Sequence, residues 1–384
     1  MHILYIYSEI TIKGGADRII VEKANYFARQ GYHVTIVTES QMGRETSFPL
    51  DEKVKHIDLG LNFNEQYRHG SLIRLCIYIK LMFQYRRKLN EILKKERADI
   101  TITAMGRSID VLPYINDGSK KIGEAHNKKQ FLRSIHLIEQ RGGLFKYVAK
   151  YLRKKMERGA SRLDALVLLT SDHEKDWKGI AKTYVIPNPI LFFPTKAADL
   201  NNKSVLMIGR YNDAKGYNYL IPAWDIVHKF HPDWILNVYG SGEMREQVVD
   251  WINERHLQNT IIMHDPVDNI MEKYMDNSIC VLSSLYEGFP LVILEGMACG
   301  VPFVSFDCPY GPRTIINDGN DGLVVEYLNS NALADGLCCL IENEPLRKMM
   351  GVNARKNIQR YSKDVVMKQW VDLFELLLKQ KNEL

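Results

Sequence analysis

Apolar and polar positions along the chain form two successive series of strand-like and helix-like segments. Residues 2–7 alternate like a buried strand, and apolar residues then recur at helical spacing from Ile19 to Ala28 until Gly31 ends the helix. Strands that alternate with helices in this way indicate a parallel sheet. The other elements predicted in this series are a long basic amphipathic helix at 72–97 and strands at 34–38, 99–103, 121–123 and 165–170.

The pattern starts again after the segment Val185–Ile190, whose two prolines exclude helix and provide no ladder donors. The elements predicted in this second series are helices at 220–230 and 244–255 and strands at 205–208, 235–239, 261–263, 278–282 and 302–305. We therefore expect an α/β fold of two Rossmann-like domains. Its expected parts are an N-terminal domain at 1–186, a linker at 187–202, a second domain at 203–361 and a C-terminal segment at 362–384, with a helix at 363–378 that packs back on the first domain.

Composition and charge narrow the class of protein. The 384 residues are 46% apolar, which is ample for two cores. No run of 18 apolar residues and no signal-peptide pattern is found, so we expect a cytoplasmic protein. The six cysteines are scattered without a C-x-x-C, which favours reduced thiols. The net charge of +5 divides into 33 − 21 = +12 for residues 1–190 and 18 − 25 = −7 for residues 191–384, so the basic half is expected to meet something anionic.

The most informative segment begins at Glu287, where an acidic turn precedes a helix start. Pro290 fits the first helical position, so the free amides around it are predicted to form a positive end that suits a phosphate. These amides are those of Phe289, Leu291 and Val292. Glu295 is the only charge in the run 288–302, and an unpaired carboxylate in such a setting is costly, so it needs a hydrogen-bonding partner. Ribose hydroxyls would serve, and the alternative is a structural Lys or Arg partner.

Two glycine turns lie where a strand is followed by a helix. They are Gly14-Gly15 and Gly240-Ser241-Gly242. Their bare amides suit the close approach of a phosphate or a sugar. The alternatives are a plain tight turn at Gly14-Gly15 and an ordinary N-cap at Ser241. A complete G-x-G-x-x-G is missing, so NAD binding is not expected.

Three cationic or titratable side chains follow predicted strands. Arg210 and Lys215 lie on the loop after the strand at 205–208, where they could neutralise a leaving diphosphate without a metal; the alternative is two solvated loop cations. His126 follows the strand at 121–123 and is the best placed of eleven histidines for a cleft, with a structural role as the alternative. No Asp-x-Asp pair ends a strand and no His/Cys cluster has ligand spacing, so no metal site is expected.

Several basic segments carry apolar residues between their charges. They are Arg86–Lys88, Lys94-Lys95 and Lys146–Arg158, the last of which includes Tyr147 and Tyr151. Such a helix can lie on anionic lipid, so we expect peripheral contact with the inner face of the membrane; the alternative is a solvated helix face. Nucleic-acid binding is not expected because no recognised module accompanies the charge.

Taken together, these residues resemble the retaining glycosyltransferases of family four, which have the GT-B fold. The resemblance covers nearly the whole chain and is strongest from Gly209 to Val325. Its signature of two glutamates with seven residues between them is met by Glu287 and Glu295. The segment 308–316 is similar to one in bacterial polysaccharide and lipid-linked oligosaccharide transferases, although many of those have Glu where this chain has Thr314, which leaves the role of Thr314 open.

The resemblance implies two facing domains with a cleft between them, the first on the acceptor side and the second holding a nucleotide sugar. Glu295 would hold the donor ribose, and Glu287 would lie beside the transferred sugar. Arg210 and Lys215 would bind the diphosphate, and His126 would be the histidine of the cleft. The Gly14-Gly15 loop would lie near the donor phosphates and the acceptor.

The implied reaction moves a hexose or N-acetylhexosamine from a nucleotide diphosphate sugar, with UDP or GDP expected, to a glycan or a polyprenyl-diphosphate-linked acceptor. The anomeric configuration would be retained, no metal or other cofactor would be needed, and the departing diphosphate would act as the base. The alternatives are an epimerase or sugar phosphorylase on the same fold and a non-catalytic scaffold.

Overall fold

A computed structural model describes residues 1–11, 14–309 and 311–382. The chain divides into two compact units. The first unit comprises Met1–Pro187 together with the chain from Met367 onward, and the second comprises Asn188–Val366. Within the described ranges, no helix combines the length and the apolar character needed to cross a membrane.

The first unit is a parallel sheet with helices. Its strands are β1 His2–Tyr7, β2 His33–Thr38, β3 Val54–Asp58, β4 Ile100–Ala104, β5 Lys120–Ala125, β6 Ala165–Leu168 and β7 Thr183–Val185. Its helices before residue 187 are α1 Gly15–Arg29, α2 Ser71–Glu96, α3 Ile135–Gln140, α4 Leu144–Ala160 and α5 Glu174–Trp177. The strand order is β3-β2-β1-β4-β5-β6-β7, and the central strands are buried runs, as expected of a parallel sheet covered on both faces.

The second unit repeats this architecture. Its strands are β8 Ser204–Ile208, β9 Ile235–Tyr239, β10 Ile261–His264, β11 Ile279–Leu282, β12 Phe303–Phe306 and β13 Gly322–Val325. Its helices are α6 Tyr217–Phe230, α7 Arg245–Glu254, α8 Ile270–Met275, α9 Leu291–Ala298, α10 Pro312–Ile315, α11 Ser330–Glu342 and α12 Glu344–Asn357. The strand order is β10-β9-β8-β11-β12-β13, and the core includes the fully buried rings of Trp224, Tyr211 and Phe306.

The predicted strands and helices are confirmed, with small shifts at their ends. The strands that the sequence pattern missed are β3, β7 and β13, which are all sheet edges. Edge strands are short and often half-exposed, so their apolar pattern is weak. The final helix is α13 Lys363–Asn382. Its Phe374 ring lies 5.6 Å from the ring of Phe27 on α1, which explains why most of this helix belongs to the first unit.

Candidate functional site

The second unit has a topological switch point at its sheet edge. Strands β8 and β11 lie side by side although they are not consecutive in the chain, and ligands of open α/β sheets bind outside the carboxyl ends of such a pair. The loop 209–216 follows β8 and the loop 283–290 follows β11. The Leu285 N–H donates to the Ala214 carbonyl at 2.8 Å, so the two loops are joined. Two of the segments predicted to hold a ligand therefore meet at this edge.

Lys215 and Glu287 form an ion pair across these two loops. Lys215 Nζ lies 2.6 Å from Glu287 Oε1, and both side chains are mostly buried, with 19% and 14% exposed. The Ser284 hydroxyl donates to the same oxygen at 2.6 Å, and the Ser283 hydroxyl donates to the Lys215 carbonyl at 2.8 Å. Arg210, on the same loop as Lys215, is exposed. The edge thus offers one shielded ammonium, its carboxylate partner and one solvent-facing guanidinium.

The glycines after β9 allow a close approach between loops. A side chain at Gly240 would place its Cβ 1.9 Å from the Gly209 carbonyl oxygen, and one at Gly242 would meet the Tyr211 carbonyl at 2.4 Å. The Tyr211 N–H donates to the Ser241 carbonyl at 2.9 Å. These glycines are therefore required by the packing of this loop against the one that carries Arg210.

One predicted helix start and one alternative interpretation differ from the structure. Pro290 is the N-cap of α9, with extended backbone at ψ 98°, and not its first helical residue. Likewise, Ser241 is not the N-cap of α7, which begins at Arg245. The amides of Leu291 and Val292 lie in the first turn of α9, where N–H groups have no partner inside the helix, whereas the amide of Phe289 precedes the cap.

Glu295 has the hydrogen-bonding partner that its apolar setting demands. Its side chain is buried, and the Tyr274 hydroxyl on α8 donates to Glu295 Oε2 at 3.0 Å. Burial, reinforced by the Glu295 charge, holds the pKa of Tyr274 well above its ordinary value, so the hydroxyl remains a donor. A neighbouring helix therefore fixes this carboxylate. Sequence reasoning missed Tyr274, whose spacing from Glu295 follows no local rule.

The segment after β12 lies against Glu287. A Cβ at Gly311 would come 3.1 Å from the Glu287 Cβ. Burial and the nearby Glu287 charge raise the pKa of the Cys308 thiol. The Thr314 hydroxyl donates to the Gly311 carbonyl at 2.6 Å, so it is used within its own turn. Tyr310, which belongs to the same motif, lies outside the described residues.

The first unit carries the other predicted site residues, Gly14, Gly15 and His126. Gly14 is the N-cap of α1 with extended backbone, and Gly15 is the first helical residue. The Gly14-Gly15 pair is therefore a helix start and not a plain tight turn.

His126 contacts a buried charge network that the sequence did not reveal. Its Nε2 lies 3.0 Å from Glu124 Oε2, and the other oxygen of Glu124 pairs with the ammonium of Lys23. That ammonium also lies 4.0 Å from the ring centroid of Trp370 on α13. Burial opposes its ionisation, but Lys23 and His126 hold the pKa of Glu124 below its ordinary value, while burial lowers the pKa of Lys23. The Glu124-Ala-His126 spacing is the one local signal of this network.

The described residues contain no group of three or more His, Cys, Asp or Glu side chains arranged to hold a metal ion. The features present suit a different ligand. Cations and helix amides favour phosphate oxygens, and carboxylates favour hydroxyl groups.

Comparison with known proteins identifies related glycosyltransferases. The model of the family described as "Glycosyl transferases group 1" matches residues 191–357. The amylovoran biosynthesis glycosyltransferase AmsD of Erwinia amylovora is 30% identical over 97% of this chain and 99% of its own length. An uncharacterized glycosyltransferase of Haemophilus influenzae is 27% identical over 93% of this chain and 95% of its own length.

Solved structures show the same fold. A variant of S. aureus TarM, solved in complex with Fondaparinux, alpha-GlcNAc-glycerol and UDP, superposes with a TM-score of 0.78 at 17% identity. The match covers 97% of this chain and 99% of that one. The two Rossmann-like halves described above are thus those of the GT-B fold. With the full-length relationship to AmsD and the match over the second unit, the chain belongs to the glycosyl transferases of group 1.

Proposed function

We propose that this glycosyltransferase moves a hexose or N-acetylhexosamine from a UDP- or GDP-sugar to a hydroxyl of a glycan or lipid-linked acceptor, with retention and without a metal ion. The observation that carries the proposal is the meeting of the Lys215 loop with the Glu287 loop and helix α9 at the switch point of the second unit. Diphosphates and ribose hydroxyls are the ligands for which such a set of groups is suited.

The donor would be held by groups with separate tasks. Lys215 and Arg210 would neutralise the diphosphate, together with the first-turn amides of Leu291 and Val292. The glycine loop after β9 would cradle the nucleotide, and Glu295 would accept hydrogen bonds from the ribose hydroxyls. The fixed orientation of Glu295 supports this assignment, because a preorganised acceptor loses little freedom when it binds.

The transfer step needs little acid–base chemistry from the protein. The bond between the sugar C1 and the diphosphate oxygen breaks, and the acceptor oxygen bonds to C1 on the same face. The acceptor proton passes to the departing phosphate oxygen, so no external base is consumed. The enzyme would contribute positioning and charge, with Lys215 and Arg210 stabilising the negative charge that develops on the diphosphate. Glu287, held by Lys215 and Ser284, would orient the sugar.

In the first unit we assign His126 to contact with the substrate during transfer. Its Nε2 lies 3.0 Å from Glu124 Oε2, and Glu124 is itself paired with the buried Lys23. A catalytic group needs such support if it is to stay within a fraction of an ångström of its productive position.

The acceptor class is proposed from the relatives. AmsD is named for amylovoran biosynthesis, and TarM was solved with a GlcNAc-glycerol compound and UDP. We therefore propose a role in polysaccharide biosynthesis.

Peripheral binding to anionic lipid on the cytoplasmic face is a further part of the proposal. Helix α4 exposes Leu144, Tyr147 and Tyr151, and lysines lie exposed between them at Lys146 and Lys150. Exposed apolar side chains interleaved with cations are typical of helices that lie in the lipid interface. A lipid-linked acceptor would be reached from this position.

A thermal-shift screen of UDP-, GDP- and ADP-sugars tests the proposal, because a ligand of the folded state raises Tm. The expected result is a shift with one nucleotide class that is lost in Glu295→Gln and kept in Glu246→Gln, an exposed glutamate on α7. Transfer with that donor should continue in EDTA, and NMR should show that the anomeric configuration is unchanged. If no nucleotide sugar shifts Tm, or if the donor alone is converted to an epimer, the proposal is wrong.

A further inference from the structure

The first unit has its own switch point, and an arginine occupies it. Strands β1 and β4 are neighbours in the sheet but not consecutive in the chain, so their carboxyl ends mark the expected ligand position. Arg107 begins the turn Arg107–Asp110 that follows β4. Its Nη1 donates to Glu39 Oε2 at 2.7 Å. Because Glu39 follows β2, on the other side of β1, this ion pair spans the end of β1.

Arg107 is held in place and yet remains accessible. Its guanidinium carbon lies 3.8 Å from the ring centroid of Phe63, while Glu39 is buried and Arg107 has 27% of its side chain exposed. Among the described residues, Glu39 is the one hydrogen-bond partner of this guanidinium, which has five N–H groups. A planar guanidinium that is held by a carboxylate and by an aromatic ring is well suited to bind the oxygens of a phosphoryl group.

Two further cations pair with a carboxylate of the same turn. The buried Asp110 accepts hydrogen bonds of 2.9 and 3.1 Å from Arg133 and lies 3.0 Å from Lys155. Arg133 has φ 58°, a left-handed conformation that is strained for a non-glycine residue and that tends to occur at functional sites. Arg107 and Asp110 belong to the same turn, so the two ion pairs are close. Three cations against two carboxylates leave a net charge of +1.

We infer that Arg107, supported by Arg133 and Lys155, binds a phosphoryl group of the acceptor. The inference rests on the proposed function, which assigns the donor diphosphate to Lys215 and Arg210 of the second unit. A phosphate at Arg107 then belongs to a second substrate, such as a lipid diphosphate or a phosphorylated glycan. This use of the switch point would also account for a partly exposed guanidinium that is fixed by a buried carboxylate.

Calorimetry with geranyl diphosphate tests the inference, with geraniol as the uncharged control. Loss of Arg107 alone would leave Glu39 buried without its cation, so Glu39→Gln is compared with Glu39→Gln/Arg107→Gln. The first variant keeps the guanidinium, and the second should bind geranyl diphosphate roughly tenfold more weakly than the first or worse, the effect of one lost charge-assisted hydrogen bond. Arg29→Gln, which removes an exposed guanidinium paired with Asp51, should change nothing.

The outcomes are distinct. Equal affinity in the two Glu39 variants, or no binding of geranyl diphosphate by the wild type, overturns the inference. If the double variant instead loses affinity for UDP or GDP and keeps it for geranyl diphosphate, Arg107 serves the donor and the acceptor assignment is wrong. Failure of every nucleotide sugar to bind would overturn the proposed function. It would not change the affinity for geranyl diphosphate, which tests Arg107 separately.

Discussion

The ammonium of Lys215 lies 2.6 Å from the Glu287 oxygen that also accepts the Ser284 hydroxyl. The carboxylate is therefore oriented from two sides, and the ammonium is held at the edge of the sheet before any ligand arrives. A bound diphosphate would share this ammonium with Glu287. The pair thus links the group proposed to hold the leaving phosphate to the group proposed to lie beside the sugar.

Replacement of Lys215 by Met should lower kcat/KM by about a hundredfold or more, because it removes charge stabilisation of the leaving diphosphate and leaves Glu287 without its cation. Steady-state kinetics measure the effect. The matched control is Lys229→Met, which removes an exposed lysine bonded to Asp225 at 2.9 Å. Activity of Lys215→Met within about twofold of that control would contradict the assignment.

The Tyr274→Phe substitution should weaken the binding of the ribonucleoside diphosphate by roughly five- to tenfold, since it removes one hydrogen bond that orients Glu295. The dideoxy form of the same nucleotide lacks the ribose hydroxyls and should bind the wild type and the variant equally. Calorimetry with both nucleotides measures the difference. If both lose the same affinity, Tyr274 acts only on the stability of the unit and not on ribose recognition.

The regular elements could be predicted because each buries an apolar face with its own period. The strand His2–Tyr7 and the helix that ends before Gly31 are visible for this reason. The site loops could be placed because a parallel sheet brings the carboxyl ends of β8 and β11 to one edge. The local sequence therefore predicts which side chains lie at the carboxyl edge of the second unit's sheet.

The buried polar partners could not be predicted in the same way. Lys23 and Glu124 are 101 positions apart in the chain, and Tyr274 and Glu295 are 21 positions apart. No local period relates such positions, because the fold alone brings them together. The start of α9 was misplaced at Pro290 for a smaller reason: proline is favoured at the first helical position, and here its extended backbone instead serves as the N-cap.

The buried Glu124 should make stability depend on pH. Its folded pKa lies below the ordinary value of 4.5, so its contribution is fully present above about pH 4.5 and is lost as the pH falls below that value. The Tm difference between the wild type and Glu124→Gln should therefore be constant near neutral pH and shrink in acid. Scanning calorimetry from pH 7 downward measures it, with Glu246→Gln as the surface control. A difference that stays constant below about pH 4 would contradict this assignment.

The exposed face of α4 should bind anionic vesicles. Tyr147 is 73% exposed, and Tyr151 lies one helical turn further along the same face. The Tyr147→Ser/Tyr151→Ser variant should sediment less with vesicles of phosphatidylglycerol and phosphatidylethanolamine than the wild type, because it loses apolar area buried in the interface. Phe230→Ser, which removes a 71% exposed ring from α6 in the second unit, should sediment like the wild type.

The salt dependence of vesicle binding separates the electrostatic contribution of the lysines from the apolar contribution of the tyrosines. Lys146 and Lys150 attract anionic lipid through an interaction that salt screens, so sedimentation of the wild type should fall as the ionic strength rises from low to about 0.5 M. Neutral vesicles of phosphatidylcholine should bind less protein at every salt concentration. No sedimentation at low salt, or equal sedimentation of the tyrosine variant and the wild type, would show that α4 is a solvated helix face and that the acceptor is reached in another way.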